Sequence, residues 1–271
     1  MKEEKQFQKI LSDIKSVKIQ GAENICKAGI KAYLLNPTKS SAKKIISVRS
    51  TEPLLQNAIK LLLKSENPKL TAKEFLTDLK KSHDKISAEG AKLIKNKMNI
   101  YSHCHSSTVI DILKLAKKQG KKFTVYTSEV EPLLQGRKTA KDLAKAKIKV
   151  VVTPDLAISE SIKKCDISFF GADAYTKRYI YNKIGTSIIN TLAKNSKIKT
   201  YSCGVSAKFT NKVKIEKRSG KEVWDERNKN IEIYNPAFDK TKMKNVTGII
   251  SELGILTPKQ FVKKINEKIK F

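Results

Sequence analysis

The chain has 271 residues, 39% of them apolar, and 56 lysines and arginines stand against 26 acidic residues, a formal net charge of +30. This length and apolar content predict a folded protein of one large or two smaller domains and exclude a disordered chain. The lysines are spread along the whole chain without a nucleic-acid-binding motif, so the charge favours attraction to phosphorylated small molecules over a dedicated nucleic-acid function.

The first 96 residues show helical periodicity only. Apolar residues recur at three- and four-residue spacing in four segments, FQKILSDIKSVKI (7–19), AENICKAGIKAYLL (22–35), PLLQNAIKLLLKS (53–65) and TAKEFLTDLKKSHDKISAEGAKLIKN (71–96). Breaks between them are predicted at Gly21, at residues 36–41 and at residues 67–71. The pattern predicts an N-terminal helical domain over residues 1–96.

From residue 97 short apolar runs alternate with helical segments. Strands are predicted at 99–103, 122–129, 148–154, 167–173 and 200–206, and helices at 106–120, 139–147, 157–165 and 185–196. Strand–helix alternation with apolar strands predicts a Rossmann-like, doubly wound parallel sheet. The predicted fold class is therefore α/β, with this sheet over residues 97–271.

Polar clusters follow the predicted strands at the points where they end. They are SHCHSS (102–107), TSEVEP (127–132), GADAY (171–175) and CGVSAKF (203–209). In doubly wound sheets ligands bind at the carboxyl ends of the strands. The coincidence predicts a functional site at this edge of the sheet.

Cys104 lies between a predicted strand end and Ser106–Ser107, which are typical helix N-cap residues. A helix start lowers the pKa of a thiol and binds anions, which favours a reactive cysteine beside a phosphate. A buried, inert cysteine is the alternative that these residues leave open. The cysteine and histidine spacing does not favour zinc, and the two adjacent histidines do not favour a thiol protease.

Asp173 follows a buried strand and a glycine, so its carboxyl is expected to be partly desolvated and to serve as a general acid, unless it only caps a turn.

Further along, 182–187 offers an amide, an ammonium and a Gly-Thr-Ser helix start. Arg49 in SVRST and Lys208 in SAKF add cations that a doubly phosphorylated ligand demands. The absence of a P-loop and of GxGxxG after a strand argues against ATP and NAD.

Several spaced motifs resemble a single family. They are SHCHSSTVI, EPLLQGRKTAKDL, GADAY…NKIGTS and NPAFD…VTGIISELGILTP, with GAENI and RSTEPLLQNAI in the helical part. The family unites ribose-1,5-bisphosphate isomerases, methylthioribose-1-phosphate isomerases and the α, β and δ regulatory subunits of translation initiation factor 2B. The resemblance runs from about residue 7 to 260, and HCHSS is more similar to the ribose-1,5-bisphosphate branch.

The resemblance implies conversion of ribose 1,5-bisphosphate to ribulose 1,5-bisphosphate in AMP salvage, with Cys104 as proton acceptor and Asp173 as proton donor. It implies substrate contacts from Gly21, Ala22, Arg49, Ser106, Ser107, Asn182, Lys183 and Lys208. No metal or other cofactor is required. The implied partners are a phosphorylated pentose and further copies of the chain, in a dimer or dimer-based hexamer, with AMP as a candidate regulator.

Two alternatives stay open within the same family. A non-catalytic subunit like those of initiation factor 2B is favoured by two departures from the isomerase pattern, Gln20 and Glu131, whose carboxylate is expected near the phosphates. Retention of both Cys104 and Asp173 favours the enzyme. Methylthioribose-1-phosphate isomerisation is the weaker alternative.

The N-terminus lacks a signal-peptide pattern, no apolar run reaches a membrane span, and the unpaired spacing of the cysteines indicates reduced thiols, so a cytoplasmic location is expected.

Overall fold

A computed structural model describes residues 2–269, so Met1 and residues 270–271, the outer ends of the two predicted domains, lie outside the described part. Within it the helices are α1 Lys2–Lys15, α2 Ala22–Leu35, α3 Lys39–Val48, α4 Pro53–Lys64, α5 Pro68–Lys92, α6 Ser107–Lys118, α7 Gln135–Lys145, α8 Ile158–Ile162, α9 Thr186–Asn195 and α10 Pro258–Ile269. The strands are β1 Asn99–His103, β2 Thr124–Ser128, β3 Lys149–Thr153, β4 Ile167–Gly171, β5 Ala174–Tyr175, β6 Tyr179–Lys183, β7 Lys199–Cys203, β8 Phe238–Lys242, β9 Gly248–Ser251 and β10 Gly254–Leu256.

The helices of the first part follow from their apolar faces and caps. α2 has the predicted bounds, and α4 buries Leu54, Leu55 and Ile59 completely. The predicted break at 36–41 is wrong in its second half, because Thr38 and Ser41 form a capping box that starts α3 at Lys39. The break at 67–71 is also shorter than predicted, since α5 starts at Pro68.

The main sheet has seven strands among the described residues, in the order β10-β9-β7-β4-β1-β2-β3, and only β10 is antiparallel to its neighbour. The chain winds outward from β1 through β2 to β3, and then from β4 through β7 to β9 on the other side. The predicted doubly wound fold is confirmed. Its switch point lies between β1 and β4, where His103 is paired with Phe170, so the residues after these two strands come together.

A second sheet was not predicted. Its three strands, β5, β6 and β8, are antiparallel and lie along the sequence immediately after Asp173 and again near residue 240. β6 ends in Asn182 and Lys183, so this small sheet sets the position of both residues.

One hydrophobic cluster joins the helical part to the main sheet. It contains Ile25 and Leu55 from the helices together with Ile100, Val125 and Phe169 from the strands. The two parts therefore stabilise each other through a common core. Among residues 2–269 there is no helix whose length and apolar content would suffice to cross a bilayer.

Candidate active site

A pocket with a cavity volume of about 240 Å³ is lined both by the helical part and by residues that follow β1 and β4. This volume lies below the ~300–1,000 Å³ of pockets for drug-sized ligands, so it favours a compact ligand. All ten predicted site residues line this pocket: Gly21, Ala22, Arg49, Cys104, Ser106, Ser107, Asp173, Asn182, Lys183 and Lys208. The structure brings them together, while their individual roles stay predictions.

Cys104 has a left-handed backbone, with φ of 65°. A non-glycine residue in this region costs about 1–2 kcal/mol, and such strain is concentrated at functional sites. The hydroxyl of Thr139 donates to the Cys104 carbonyl over 2.8 Å, which ties the strained residue to α7. Because that hydroxyl proton is used, Thr139 accepts a hydrogen bond from Nδ1 of His105 at 3.1 Å.

The thiol of Cys104 does not behave as its place before a helix predicts. Burial raises the pKa of Cys104 to about 12, although the backbone N–H of His105 and the charge of Lys183 act to lower it. The expected lowering of the thiol pKa is therefore wrong. Desolvation outweighs the helix start, and the resting thiol is protonated at neutral pH.

Asp173 has the protonation behaviour that its position predicts. Burial raises the pKa of its carboxyl, although the charges of Lys208 and Arg49 act to lower it. Its backbone N–H donates to the carbonyl of Tyr181 over 2.8 Å, which fixes it to the small sheet. The preceding Gly171 allows the close approach of α6, since a Cβ there would lie 2.7 Å from Oγ of Ser106.

Three lysines line the same pocket. Lys208 donates to the carbonyl of Ala172 over 2.5 Å, which holds its ammonium beside Asp173. Lys183 is buried, and burial lowers its pKa. Lys138, on the exposed face of α7, was missed by the sequence reasoning because it resembles any other surface lysine. Together they form a cationic lining suited to phosphate groups.

The helix starts around the pocket differ in what they can bind. α2 follows Gly21 with no side-chain cap among the described residues, so its N–H groups face the pocket uncapped. The N-cap of α6 is Ser106, as predicted, which accepts from Val109 N over 3.4 Å. The Gly-Thr-Ser start of α9 is closed, because Oδ2 of Asp239 accepts from the N–H groups of Gly185 and Ser187, each at 2.9 Å. Two N–H groups of the Gly-Thr-Ser helix start are therefore already paired within the chain.

The two departures from the isomerase pattern lie in different surroundings. Gln20 lines the pocket, but Glu131 is exposed and does not belong to the pocket lining. The expectation that Glu131 brings a carboxylate to the phosphates is wrong. The amides of Val130 and Glu131 donate to Asp155, which turns this loop away.

Besides Lys138, five charged residues of the pocket lining were missed. They are Glu23, Glu52, Glu216, Arg218 and Glu222. Glu52 is 2% exposed, and burial together with the charge of Asp173 raises its pKa to about 8. Its only signal in the sequence is an acid three residues after Arg49. Glu216, Arg218 and Glu222 lie in the irregular segment 209–237, where no periodic pattern could place them.

The chain was compared with known proteins. The family model described as the initiation factor 2 subunit family matches residues 27–258. The chain belongs to this family. A ribose 1,5-bisphosphate isomerase of Methanocaldococcus jannaschii is 36% identical over 90% of this chain and 89% of that protein.

Other relatives carry other names. A putative translation initiation factor eIF-2B subunit 2-like protein of Pyrococcus furiosus is 31% identical, over 92% of this chain and 96% of its own length. Among solved structures, the translation initiation factor eIF-2B of Pyrococcus horikoshii superposes with a TM-score of 0.85 at 28% identity, covering 94% of this chain and 98% of that one. The fold is thus shared by isomerases and initiation-factor proteins. The choice between these two functions has to be made from the residues of the pocket.

Proposed function

We propose that the protein is a sugar-phosphate isomerase that converts ribose 1,5-bisphosphate to ribulose 1,5-bisphosphate. The observation that carries this proposal is the pairing of a thiol and a desolvated carboxyl, Cys104 and Asp173, in one cationic pocket. A non-catalytic subunit has no need for a strained cysteine beside a carboxyl of raised pKa. Relatives that bear the isomerase name at 29–36% identity support the same reading.

The chemistry accounts for both residues. The phosphate on C1 masks the aldehyde, so the ring must open by protonation of its oxygen, and a protonated Asp173 supplies that proton. The thiolate of Cys104 then removes the proton from C2 and returns it to C1. The Asp173 carboxylate takes the proton of the C2 hydroxyl, which leaves the ketone and restores the acid. Each proton that leaves a residue is replaced within one turnover.

The cations and amides around the pair bind the two phosphates. Lys183 and Lys208 flank the reacting groups, and the uncapped start of α2 supplies N–H donors at Gly21 and Ala22. Such donors stabilise the negative charge that develops on the C2 oxygen of the enolate. No step requires a metal. Among residues 2–269 there is no group of three or more histidine, cysteine or acidic side chains placed to hold a metal ion.

The organisation of the chain fits this proposal. Residues 1–96 act as a helical cap that brings Gly21 and Arg49 to the pocket, and residues 97–271 form the catalytic domain. We further propose that the protein works in the cytoplasm as a dimer or a dimer-based hexamer and that AMP regulates it. Light scattering with and without AMP tests the assembly.

The function is tested by incubating the purified protein with ribose 1,5-bisphosphate and, separately, with methylthioribose 1-phosphate, and following ketose formation. Ketose from the first substrate, lost in Cys104→Ser and Asp173→Asn, is the expected result. Ketose from the second substrate alone would move the assignment to the other isomerase branch. No ketose from either substrate would favour a subunit like those of initiation factor 2B.

A further inference from the structure

An ionic cluster at the edge of the pocket joins the helical part to the irregular segment 209–237. Nη1 of Arg49 lies 3.0 Å from Oε1 of Glu216, and Nη1 of Arg218 lies 3.5 Å from the same oxygen. The side chain of Arg49 is 8% exposed, that of Arg218 13% and that of Glu216 15%. One carboxylate therefore bridges two largely buried guanidinium groups in a pocket that also holds Lys183.

The bridge is electrostatic and leaves hydrogen-bonding groups unused. Among residues 2–269, Nε and Nη1 of Arg49 and Oε1 of Glu216 are buried without a hydrogen-bond partner of good geometry. Buried donors of a charged group that stay unpaired are costly, so they indicate a ligand that completes them. A phosphate offers three oxygens with tetrahedral spacing, whereas the carboxylate of Glu216 presents a single oxygen that both guanidinium groups share.

Arg218 is held ready for such a ligand. Its Nε donates to Oε2 of Glu222 over 3.1 Å, its Nη2 pairs with the other oxygen of Glu222, and Nδ2 of Asn235 donates to Glu222 over 3.1 Å. This fork-to-fork contact fixes the guanidinium plane and leaves Nη1 directed at Glu216.

Glu216 can leave the guanidiniums without unfolding its segment. Its backbone N–H is anchored on Oγ1 of Thr51 at 2.9 Å, so only the side chain has to turn. A second acid that pairs with Arg49 is Glu52, 3.9 Å away at the N-cap of α4. Because burial raises the pKa of Glu52 to about 8, it is largely protonated at neutral pH, and Glu216 is the anion that compensates Arg49.

We propose that Arg49 and Arg218 together bind one phosphate of the substrate, and that Glu216 is the resident anion which this phosphate displaces. The proposal deepens the function proposed above and rests on it for the identity of the substrate, a sugar bisphosphate. It adds Arg218 as a substrate-binding residue. It also explains why a pocket for anions contains a carboxylate.

The test measures binding of inorganic phosphate by calorimetry at fixed ionic strength, so that it does not depend on turnover. Arg218→Gln is expected to weaken phosphate binding about tenfold, and Glu216→Gln to tighten it about tenfold, the effect of one charge-assisted hydrogen bond gained or lost. Matched controls come from exposed residues of the same segment: Lys217→Gln for the arginine variant and Glu232→Gln for the glutamate variant. Both controls are expected to change the affinity by less than about twofold.

Thermal unfolding verifies that each variant is folded, and Glu216→Asp, which retracts the carboxylate, provides a second variant with an intermediate affinity. The proposal is overturned if Arg218→Gln binds phosphate like Lys217→Gln, or if Glu216→Gln binds it like Glu232→Gln. Ketose formation from ribose 1,5-bisphosphate by the wild type is measured in parallel. Its absence would refute the proposed function, whereas the phosphate affinities decide the role of the arginines independently.

Discussion

The end of β1 and the end of β4 present two groups to the same pocket, the thiol of Cys104 and the carboxyl of Asp173. Both are half-buried residues, and burial raises the pKa of each. For the carboxyl this is an advantage, since it keeps an acid protonated closer to neutral pH. For the thiol it is a disadvantage, since a pKa of about 12 leaves little thiolate to act as a base.

The contrast shows where the proton lies in the resting site. When one proton is shared between the two groups, it lies mainly on the sulfur of Cys104, while the proposed mechanism needs it on Asp173. For each pH unit by which the pKa of Cys104 exceeds that of Asp173, the arrangement with thiolate and protonated carboxyl costs about 1.4 kcal/mol more. The cation of Lys183 lowers the pKa of both groups, so it favours the thiolate but also the carboxylate.

The largest expected effect comes from the carboxyl. Asp173→Asn keeps the shape of the side chain but cannot donate an acidic proton to the ring oxygen, so kcat is expected to fall about 10⁴-fold. The measurement is the steady-state rate of ketose formation. Asp166→Asn, at an exposed position on the far side of β4, is the matched control and is expected to keep its rate. A fall of less than about tenfold in Asp173→Asn would remove the carboxyl from the mechanism.

The next effect tests the thiol. Cys104→Ser is expected to lower kcat about 10³-fold, because a hydroxyl is a far weaker acid than a thiol and gives almost no anion. Cys165→Ser is the control, since Cys165 is buried away from the pocket and donates to the carbonyl of Ser161, a hydrogen bond that serine can also make. If both serine variants keep the wild-type rate, Cys104 is an ordinary packing residue.

The fold was largely predictable because the signals were local. β1 and α2 have the predicted bounds, and the polar residues after the strands meet as the topology requires. The features that could not be predicted depend on contacts between residues far apart in the sequence. Nothing in the sequence indicates that the carboxylate of Glu216 meets Arg49, or that Asp239 closes the start of α9 from a strand 52 residues away. The predicted lowering of the pKa of Cys104 was wrong for the same reason, since desolvation depends on the whole pocket.

The pH dependence of kcat/KM sharpens the contrast between the two groups. If thiolate and protonated carboxyl are both needed, kcat/KM rises about tenfold per pH unit at low pH, as thiolate forms while Asp173 stays protonated. The rise stops at the raised pKa of Asp173, because beyond it the loss of acid cancels the gain of base. The profile is then flat toward the thiol pKa of about 12. It is measured in Glu52→Gln, so that the titration of Glu52, whose pKa is raised to about 8, does not contribute to the profile.

The charge of Lys208 provides a check on the assignment of that bend. Lys208 lowers the pKa of Asp173, so Lys208→Met is expected to move the bend to higher pH. A bend that stays in place would assign it to another group. A profile that rises without a bend up to the thiol pKa of about 12 would show that the acid is not required.

The smallest expected effect separates structure from binding. Asp239→Ala removes the acceptor that closes α9, so the free energy of unfolding is expected to fall by about 1 kcal/mol, as for other N-cap losses. Because Asp239 already satisfies these amides, KM is expected to stay unchanged. Chemical denaturation and steady-state kinetics measure the two effects. A lowered KM in this variant would mean that α9 can bind a phosphate once its cap is removed.

The fate of the C2 proton tests the central claim most directly. Ribose 1,5-bisphosphate carrying deuterium at C2 is incubated with the wild-type protein in ordinary water, and the ketose is analysed by NMR. A single buried thiol that takes the proton from C2 and returns it to C1 predicts ribulose 1,5-bisphosphate with deuterium retained at C1 in a measurable fraction of the product. Absence of ketose, or ketose formed by Cys104→Ser at the wild-type rate with the same label, would contradict the account.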